Sequence, residues 1–316
     1  MDHRPGRGHL YFGEPGGRRL IAASGSRRHP SRSTRPFFDL DPAGANYRTA
    51  ATVIIPAPYE GTVSYGRGAA KGPDALRRAS WEVEYYDPEL GRDARLALAS
   101  LPPLPLPRDP KTAIARVEKT AAKILKDGKR PLLIGGEHSL TLGMVRAARR
   151  RYPRLSVLQL DAHADLRERY DQSPYSHACV MRRVAELGLP IVAAGVRSLS
   201  REEHDWIREH RQKIFWAGEI KRNPGWTKAV IRGLGPEVYL SLDVDVLDPA
   251  EMPATGAPEP GGLSWRDLLD LFRALAASGK KVIGLDLVEL APIPGFHAPD
   301  FLCARLLFFL LARLDP

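Results

Sequence analysis

Leu155-Ser-Val-Leu-Gln-Leu160 runs straight into Asp161-Ala-His163-Ala-Asp165, and this stretch decides how the chain is read. The apolar half has the length and branching of a buried strand. A second run repeats the pattern: Val238-Tyr-Leu-Ser-Leu242 leads into Asp243-Val-Asp245. Alternate residues of a strand share a face. If the strands persist, Asp161, His163 and Asp165 point one way, and so do Asp243 and Asp245. Four carboxylates and an imidazole gathered at strand ends would repel one another strongly at low dielectric. Bound divalent metal is the simplest relief, and four carboxylates suit more than one ion. Carboxylate and imidazole without thiolate suit Mn, Zn, Fe or Mg, and an oxygen-rich set leans towards Mn. A lone Asp-x-Asp is more often a solvated turn, but an Asp-x-His-x-Asp run after a buried strand is not.

A third element fits. Pro131-Leu-Leu-Ile134 reads as a strand that enters Gly135-Gly136-Glu137-His138-Ser139. The glycines permit positive φ and close backbone approach. Ser139 can serve as N-cap of the helix that follows. His138 would then stand at the carboxyl end of a strand, where open α/β sheets hold their ligands.

Strand-like and helical runs alternate along the chain, which predicts one mainly parallel sheet. Candidate strands lie at Thr52–Ala57, Glu82–Tyr86, Pro131–Gly135, Leu155–Leu160, Pro190–Gly195, Lys213–Trp216, Val238–Leu242 and Lys281–Leu287. Candidate helices lie at Pro73–Ser80, Thr112–Asp127, Leu140–Arg151, His177–Leu187, Arg201–Glu209, Thr227–Gly233, Ser264–Ala277 and Ala298–Leu314.

From about Phe37 onward the chain resembles the ureohydrolases, the family of arginase and agmatinase. The resemblance rests on Gly135-Gly-Glu-His138-Ser, Asp161-Ala-His-Ala-Asp165, Ser241-Leu-Asp-Val-Asp-Val-Leu-Asp-Pro249, Thr255-Gly-Ala-Pro-Glu-Pro-Gly-Gly262 and Gly284-Leu-Asp-Leu-Val-Glu289. It implies a three-layer α/β/α domain over residues 37–316, with a single sheet of about eight strands. It also implies two Mn(II) ions per chain. His138, Asp161, Asp165 and Asp243 would hold one ion, and Asp161, His163, Asp243 and Asp245 the other. Two such ions share and acidify one water, which adds to a guanidinium carbon and releases urea and an amine. By the same resemblance Asp165 relays the proton of that water and Glu289 pairs with the guanidinium, a bidentate match of carboxylate to planar N–H donors. His177, in Pro174-Tyr-Ser-His177-Ala-Cys179, takes the place of a proton-shuttling His; an imidazole titrates near neutrality, which suits that work. Read without the resemblance, His177 is as well a helix-start residue packed on Tyr175.

One departure concerns the substrate. The family commonly carries Thr-Gly-Thr-Pro where this chain has Thr255-Gly256-Ala257-Pro258, so a hydroxyl near the guanidinium is missing. The loop after Asp165 has Arg167, Glu168, Tyr170 and Asp171, where arginases carry an Asn at the place of Arg167. Together with Glu259-Pro260 it resembles the agmatinase version. Agmatine, hydrolysed to putrescine and urea, is the first expectation. Aminopropylagmatine follows closely, since Ala257 leaves room; Arg167 keeps arginine and guanidinobutyrate in view. A single-zinc deacetylase of related fold is a rival reading, but it needs a tandem His pair and His138 stands beside Ser139.

Bulk properties set outer limits. The 316 residues carry a net charge of +10, of which +6 lies in residues 1–36. That Arg-, Gly-, Ser- and Pro-rich tail has too little apolar surface to offset its ordering entropy and is expected to be disordered. A nucleic-acid-binding arm would leave the metal-ligand pattern unexplained, so no specific nucleic acid is expected. Two cysteines exclude a disulfide framework, fit a reducing compartment and read as small buried residues. No run reaches membrane-span length and residues 1–36 have no apolar signal segment, so a cytoplasmic location is expected. The Gly-rich loop Pro58–Gly68 lacks Walker spacing and reads as an active-site wall or a subunit contact. A homo-oligomer, trimer or hexamer, is expected from the resemblance.

Overall fold

The computed structural model describes residues 35–40 and 45–314. The expected disordered tail thus lies outside the described residues except for its last two positions. From Pro36 onward the described chain packs as one unit. Ten strands occur among the described residues: β1 (Thr52–Ala57), β2 (Tyr86–Asp87), β3 (Arg92–Asp93), β4 (Leu98–Ser100), β5 (Arg130–Gly135), β6 (Leu155–Leu160), β7 (Ile191–Ala194), β8 (Lys213–Phe215), β9 (Glu237–Asp243) and β10 (Lys281–Val288). Eight form one sheet in the order β4-β1-β5-β10-β9-β6-β7-β8. Every neighbouring pair in it is parallel. β2 and β3 make a separate antiparallel ribbon.

The apolar runs follow from this arrangement. A parallel sheet covered by helices buries both faces, so its central strands carry few polar residues. Along β1, Val53, Ile55 and Ala57 join one core while Ile54 joins the other. The first core also takes residues of α2 (Pro110–Lys126), α3 (Thr141–Arg151) and α4 (Val180–Ala185). The second takes residues of α1 (Gly72–Ala79), α7 (Trp226–Gly233), α8 (Trp265–Ala277) and α9 (Ala298–Leu314). The domain is the three-layer α/β/α sandwich expected from the sequence. α5 (Arg201–Glu209) and α8 begin with capping boxes, Ser200 with Glu203 and Ser264 with Asp267. α6 (Ala217–Ile220) was not foreseen.

The edge strand differs from expectation. Glu82–Tyr86 does not enter the sheet: Ser80–Glu82 is a 3₁₀ turn and Tyr86 belongs to the ribbon. The edge place is filled by Leu98–Ser100, whose Leu-Ala-Ser is too short to stand out from the sequence. The C-terminal helix α9 is tied down by a buried ion pair, Arg313 Nη1 to Asp87 Oδ2 at 2.8 Å, with Arg313 stacked on Phe309.

Strands β5 and β6 are consecutive in this sheet's chain path, yet β10 and β9 lie between them. Such a break in strand order leaves a crevice at the carboxyl ends of the strands, where α/β sheets bind ligands. The motifs singled out above end these four central strands.

Candidate metal centre and active site

His138 follows β5, Asp161 follows β6, Asp243 closes β9, and Glu289 follows β10. Four neighbouring strands thus deliver polar residues at their carboxyl ends to one place. Asp161, Asp165, Asp243 and Asp245 are buried, as is His138, while His163 keeps about a quarter of its side chain in solvent.

The convergence does not come from strand alternation. β6 ends at Leu160 and Val244–Val246 is a 3₁₀ turn, so neither motif continues as a strand. Short local bonds shape both turns instead. His163 N donates to Asp161 Oδ1 at 2.6 Å, and Asp245 N to Asp243 Oδ1 at 2.9 Å. The two motifs are joined by Ala162 N donating to Asp245 Oδ1 at 2.9 Å. Asp165 and Glu289 both sit at positive φ, 53° and 66°. Such a backbone costs a non-glycine residue about 1–3 kcal/mol and persists only where surrounding bonds hold it. Here Met181 N and Arg182 N donate to Asp165 O, and Glu289 N donates to Gly136 O.

The glycines and Ser139 act differently from expectation. Gly135 and Gly136 are not at positive φ; they permit close approach. A Cβ on Gly136 would lie 1.8 Å from Tyr59 O. Ser139 is not an N-cap. A 3₁₀ turn, His138–Leu140, precedes α3, and Ser139 Oγ donates to Glu137.

Nδ1 of His138 lies 3.2 Å from Asp161 Oδ2, 3.1 Å from Asp165 Oδ2 and 3.4 Å from Asp243 Oδ2. It is buried and has no hydrogen-bond partner among the described residues. Its other nitrogen is committed. Nε2 lies 2.9 Å from Ser241 Oγ, which donates to Asp286 Oδ1 at 2.8 Å. Leu242 N also donates to that oxygen, so Ser241 must give its proton to Asp286 and accept from His138. Nε2 therefore carries the hydrogen, and the lone pair of Nδ1 points at the carboxylates. Donors bonded to one small cation at about 2.0–2.2 Å stand about 3 Å apart, which is the spacing found here. The described residues form two candidate ligand groups, His138 with Asp161 and Asp243, and Asp161 with His163 and Asp245. Asp161 belongs to both. Oxygen-rich donors with an available imidazole lone pair fit a divalent ion of the Mn, Zn, Fe or Mg kind.

Charge balance leads to the same conclusion. Burial pushes the Asp165 carboxyl up to about 6, helped by the charge on Asp161. Burial, then the neighbouring Asp245 and Asp161, drives Asp243 well above the carboxylate range. Burial and Glu137 push Glu289 up to about 8. Burial also works against charge on Asp161, but His138 and His163 outweigh it and hold that group low. For His163 burial favours the neutral ring, yet its bonds to Asp161 and Asp245 raise it to about 12. Burial and mutual repulsion thus oppose the anionic forms of Asp165, Asp243 and Glu289, and a divalent cation would relieve that repulsion.

A cavity opens onto this cluster. His163, Asp165, His177, Ala257 and Glu289 all line it, and so do Arg167 and Tyr170. His177 therefore faces the same space as the carboxylates. Glu289 Oε1 accepts from His138 N at 2.6 Å, which fixes its carboxylate beside the cluster. Cys179 is buried and its thiol is pushed up to about 12, chiefly by burial, which fits the expected inert packing role.

Sequence reasoning overlooked several residues. Asp286, buried mid-strand between Leu285 and Leu287, accepts from Tyr239, Ser241 and Thr141. A lone carboxylate inside an apolar strand was the available signal. Arg197 donates to the carbonyls of Gly195, Asp245, Val246, Leu247 and Glu259, locking the turn after Asp243. Nothing local marks it, because all its partners but Gly195 lie 48 to 62 residues away.

Comparison with known proteins places the chain in a family. A sequence model described as the arginase family matches residues 50–312. An N(1)-aminopropylagmatine ureohydrolase of Synechocystis sp. is 42% identical over 275 residues, covering 84% of this chain and 90% of the relative. An agmatinase of Bacillus anthracis is 36% identical over 253 residues, covering 78% and 86%. The crystal structure of the agmatine ureohydrolase of Thermoplasma volcanium superposes with a TM-score of 0.78 at 34% identity, covering 86% of this chain and 93% of that one. With most of its length matched and its four central strands ending in one carboxylate–imidazole cluster, the chain belongs to the arginase family of ureohydrolases.

Proposed function

We propose that this ureohydrolase is a binuclear manganese enzyme whose substrate is a linear guanidine with a distal amine and no carboxylate. His138, Asp161, Asp165 and Asp243 would hold one ion, and Asp161, His163, Asp243 and Asp245 the other. The shared place of Asp161 in both ligand groups supports this scheme. When bound, the ions would supply a water acidic enough to attack at neutral pH. The protein's own groups do the rest. Glu289 pairs with the guanidinium and orients its carbon. Asp165 accepts the proton of the attacking water and passes it on. His177 protonates the departing amine, which is a poor leaving group until then, and recovers a proton from solvent.

The observation that carries the substrate reading is the identity of the relatives. Proteins named N(1)-aminopropylagmatine ureohydrolase reach 42% and 37% identity, and those named agmatinase 36%. Aminopropylagmatine, giving urea and spermidine, therefore stands ahead of agmatine, giving urea and putrescine. A second reading, guanidinobutyrate or arginine, is favoured by Arg167 in the cavity wall. Its guanidinium, however, already stacks on Tyr170 and lies 3.8 Å from Glu203. We read the enzyme as a cytoplasmic homo-oligomer; no helix among the described residues is long and apolar enough to cross a membrane.

Urea release by the Mn(II)-loaded enzyme, measured against these four guanidines, tests the assignment. kcat/KM for aminopropylagmatine or agmatine should exceed that for arginine at least about tenfold, a discrimination of about 1.4 kcal/mol. A preference for arginine or guanidinobutyrate would overturn the substrate and leave the hydrolysis standing.

A further inference from the structure

We infer that Thr62 and Glu137 are positioning residues for His177, holding its ring with a proton on Nδ1 and leaving Nε2 as the nitrogen that exchanges protons. The inference rests on the reading of His177 as the proton carrier.

Glu137 ends the Gly-Gly turn after β5 and is fully buried. Its Oε2 accepts from Gly61 N and Thr62 N, each at 2.6 Å. Its Oε1 accepts from Ser139 Oγ and Thr62 Oγ1, again each at 2.6 Å. The loop Pro58–Gly68 is thus clamped against the strand end that carries His138. Glu137 N, donating to Tyr59 O at 3.0 Å, closes the clamp.

Counting protons at Thr62 then favours one tautomer of the ring. A hydroxyl has one proton and two lone pairs, and a carboxylate has only lone pairs. The Thr62 proton therefore goes to Glu137. Both lone pairs of Thr62 Oγ1 remain, and both face His177. The backbone N of His177 donates to this oxygen at 3.0 Å, and Nδ1 lies 3.3 Å from it. A lone pair is satisfied only by a donor, and Nδ1 supplies one when it carries the hydrogen. Ser176 Oγ, also 3.3 Å from Nδ1, accepts from the same N–H in this tautomer and would donate to Nδ1 in the other. The opposite tautomer would set the Nδ1 lone pair against that of Thr62. Tyr170 packs its ring edge-on at 5.7 Å and limits rotation. With Nδ1 committed in the neutral ring and in the imidazolium alike, the proton that comes and goes is on Nε2.

A double-mutant cycle tests this. The Mn(II)-loaded enzyme is assayed with the guanidine it turns over fastest. Thr62→Val keeps the shape and removes the hydroxyl. It should lower kcat about tenfold or more, part of the about 10²–10⁴-fold that an acid–base group supplies. KM and manganese content should stay near wild type, and Thr62→Ser should restore most of the rate. In a His177→Ala background, Thr62→Val should cost almost nothing further, and it should weaken rescue by added imidazole, which needs the same acceptor. An equal loss in both backgrounds would overturn the inference while leaving His177 as the carrier. A His177→Ala enzyme with wild-type kcat would remove the carrier reading itself, and the inference with it.

Discussion

Replacing Ser241 by Ala should weaken metal binding without touching a single proposed ligand atom. In the wild type, Ser241 Oγ takes the Nε2 hydrogen of His138 at 2.9 Å and gives its own proton to Asp286. Alanine leaves the buried Nε2–H without an acceptor, and the imidazole is then free to move its hydrogen to Nδ1. That tautomer blocks the lone pair a metal needs. Outer partners of metal-ligating histidines are typically worth about 10–100-fold in affinity, which is about 1.4–2.7 kcal/mol. Folding stability should fall as well, by about 1–3 kcal/mol for one buried unsatisfied donor. Asp286 should add little to that loss, because Tyr239, Thr141 and Leu242 N still donate to it. Asp286→Asn is the graded control, since an amide oxygen can still accept from Ser241; its affinity should fall less. Competition against a fluorescent chelator measures Mn(II) affinity, and melting with and without chelator separates affinity from stability. A Ser241→Ala protein that melts lower yet binds Mn(II) as tightly as wild type would refute the tautomer reasoning.

Further outcomes are expected. Asp161→Ala and Asp243→Ala should each abolish urea release, and chelation should silence the wild type until Mn(II) is restored; full activity in metal-free protein would end the binuclear proposal. His177→Ala should reduce kcat by about 10²–10⁴-fold with metal content unchanged, and loss of metal on elemental analysis would make it a ligand instead. Metal affinity should rise with pH through about 6, because burial and Asp161 lift the Asp165 carboxyl to about 6 and its proton competes with the ion below that; calorimetry in buffers of different ionisation enthalpy should detect proton release on loading. Arg313→Met should cost about 3–5 kcal/mol by leaving Asp87 buried and unpaired. Burial opposes the charge on Asp87, but Arg313 and the N–H groups of Leu90 and Glu89 hold its carboxyl below the usual range. Its contribution is therefore present above the unfolded carboxylate pKa and disappears as pH falls through the lower folded value, a slope that melting curves should show in the wild type and only in weakened form in the variant.

The sequence determined the architecture and the chemical inventory of this protein by itself. Strands buried on both faces carry few polar residues, so seven of the eight sheet strands stood out as mainly apolar runs. The polar residues that break those runs mark where strands meet the crevice. His138, Asp161, Asp243 and Glu289 were legible for that reason. The edge strand Leu98–Ser100 was not, since three residues paired on one side need no such signature. Geometry at the site was decided elsewhere. Strand periodicity suggested that Asp161, His163 and Asp165 share a face, yet they converge because the backbone leaves the strand and folds into side-chain-bonded turns. Which nitrogen of His138 faces the carboxylates depends on Ser241 and Asp286, on strands that meet only through the sheet order β10-β9. The setting of His177 depends on Thr62, 115 residues earlier, held by a glutamate that follows a different strand. A hydrogen bond has direction and reach of only about 3 Å, so these choices arise only when distant segments are packed together, and no local pattern along the chain encodes them.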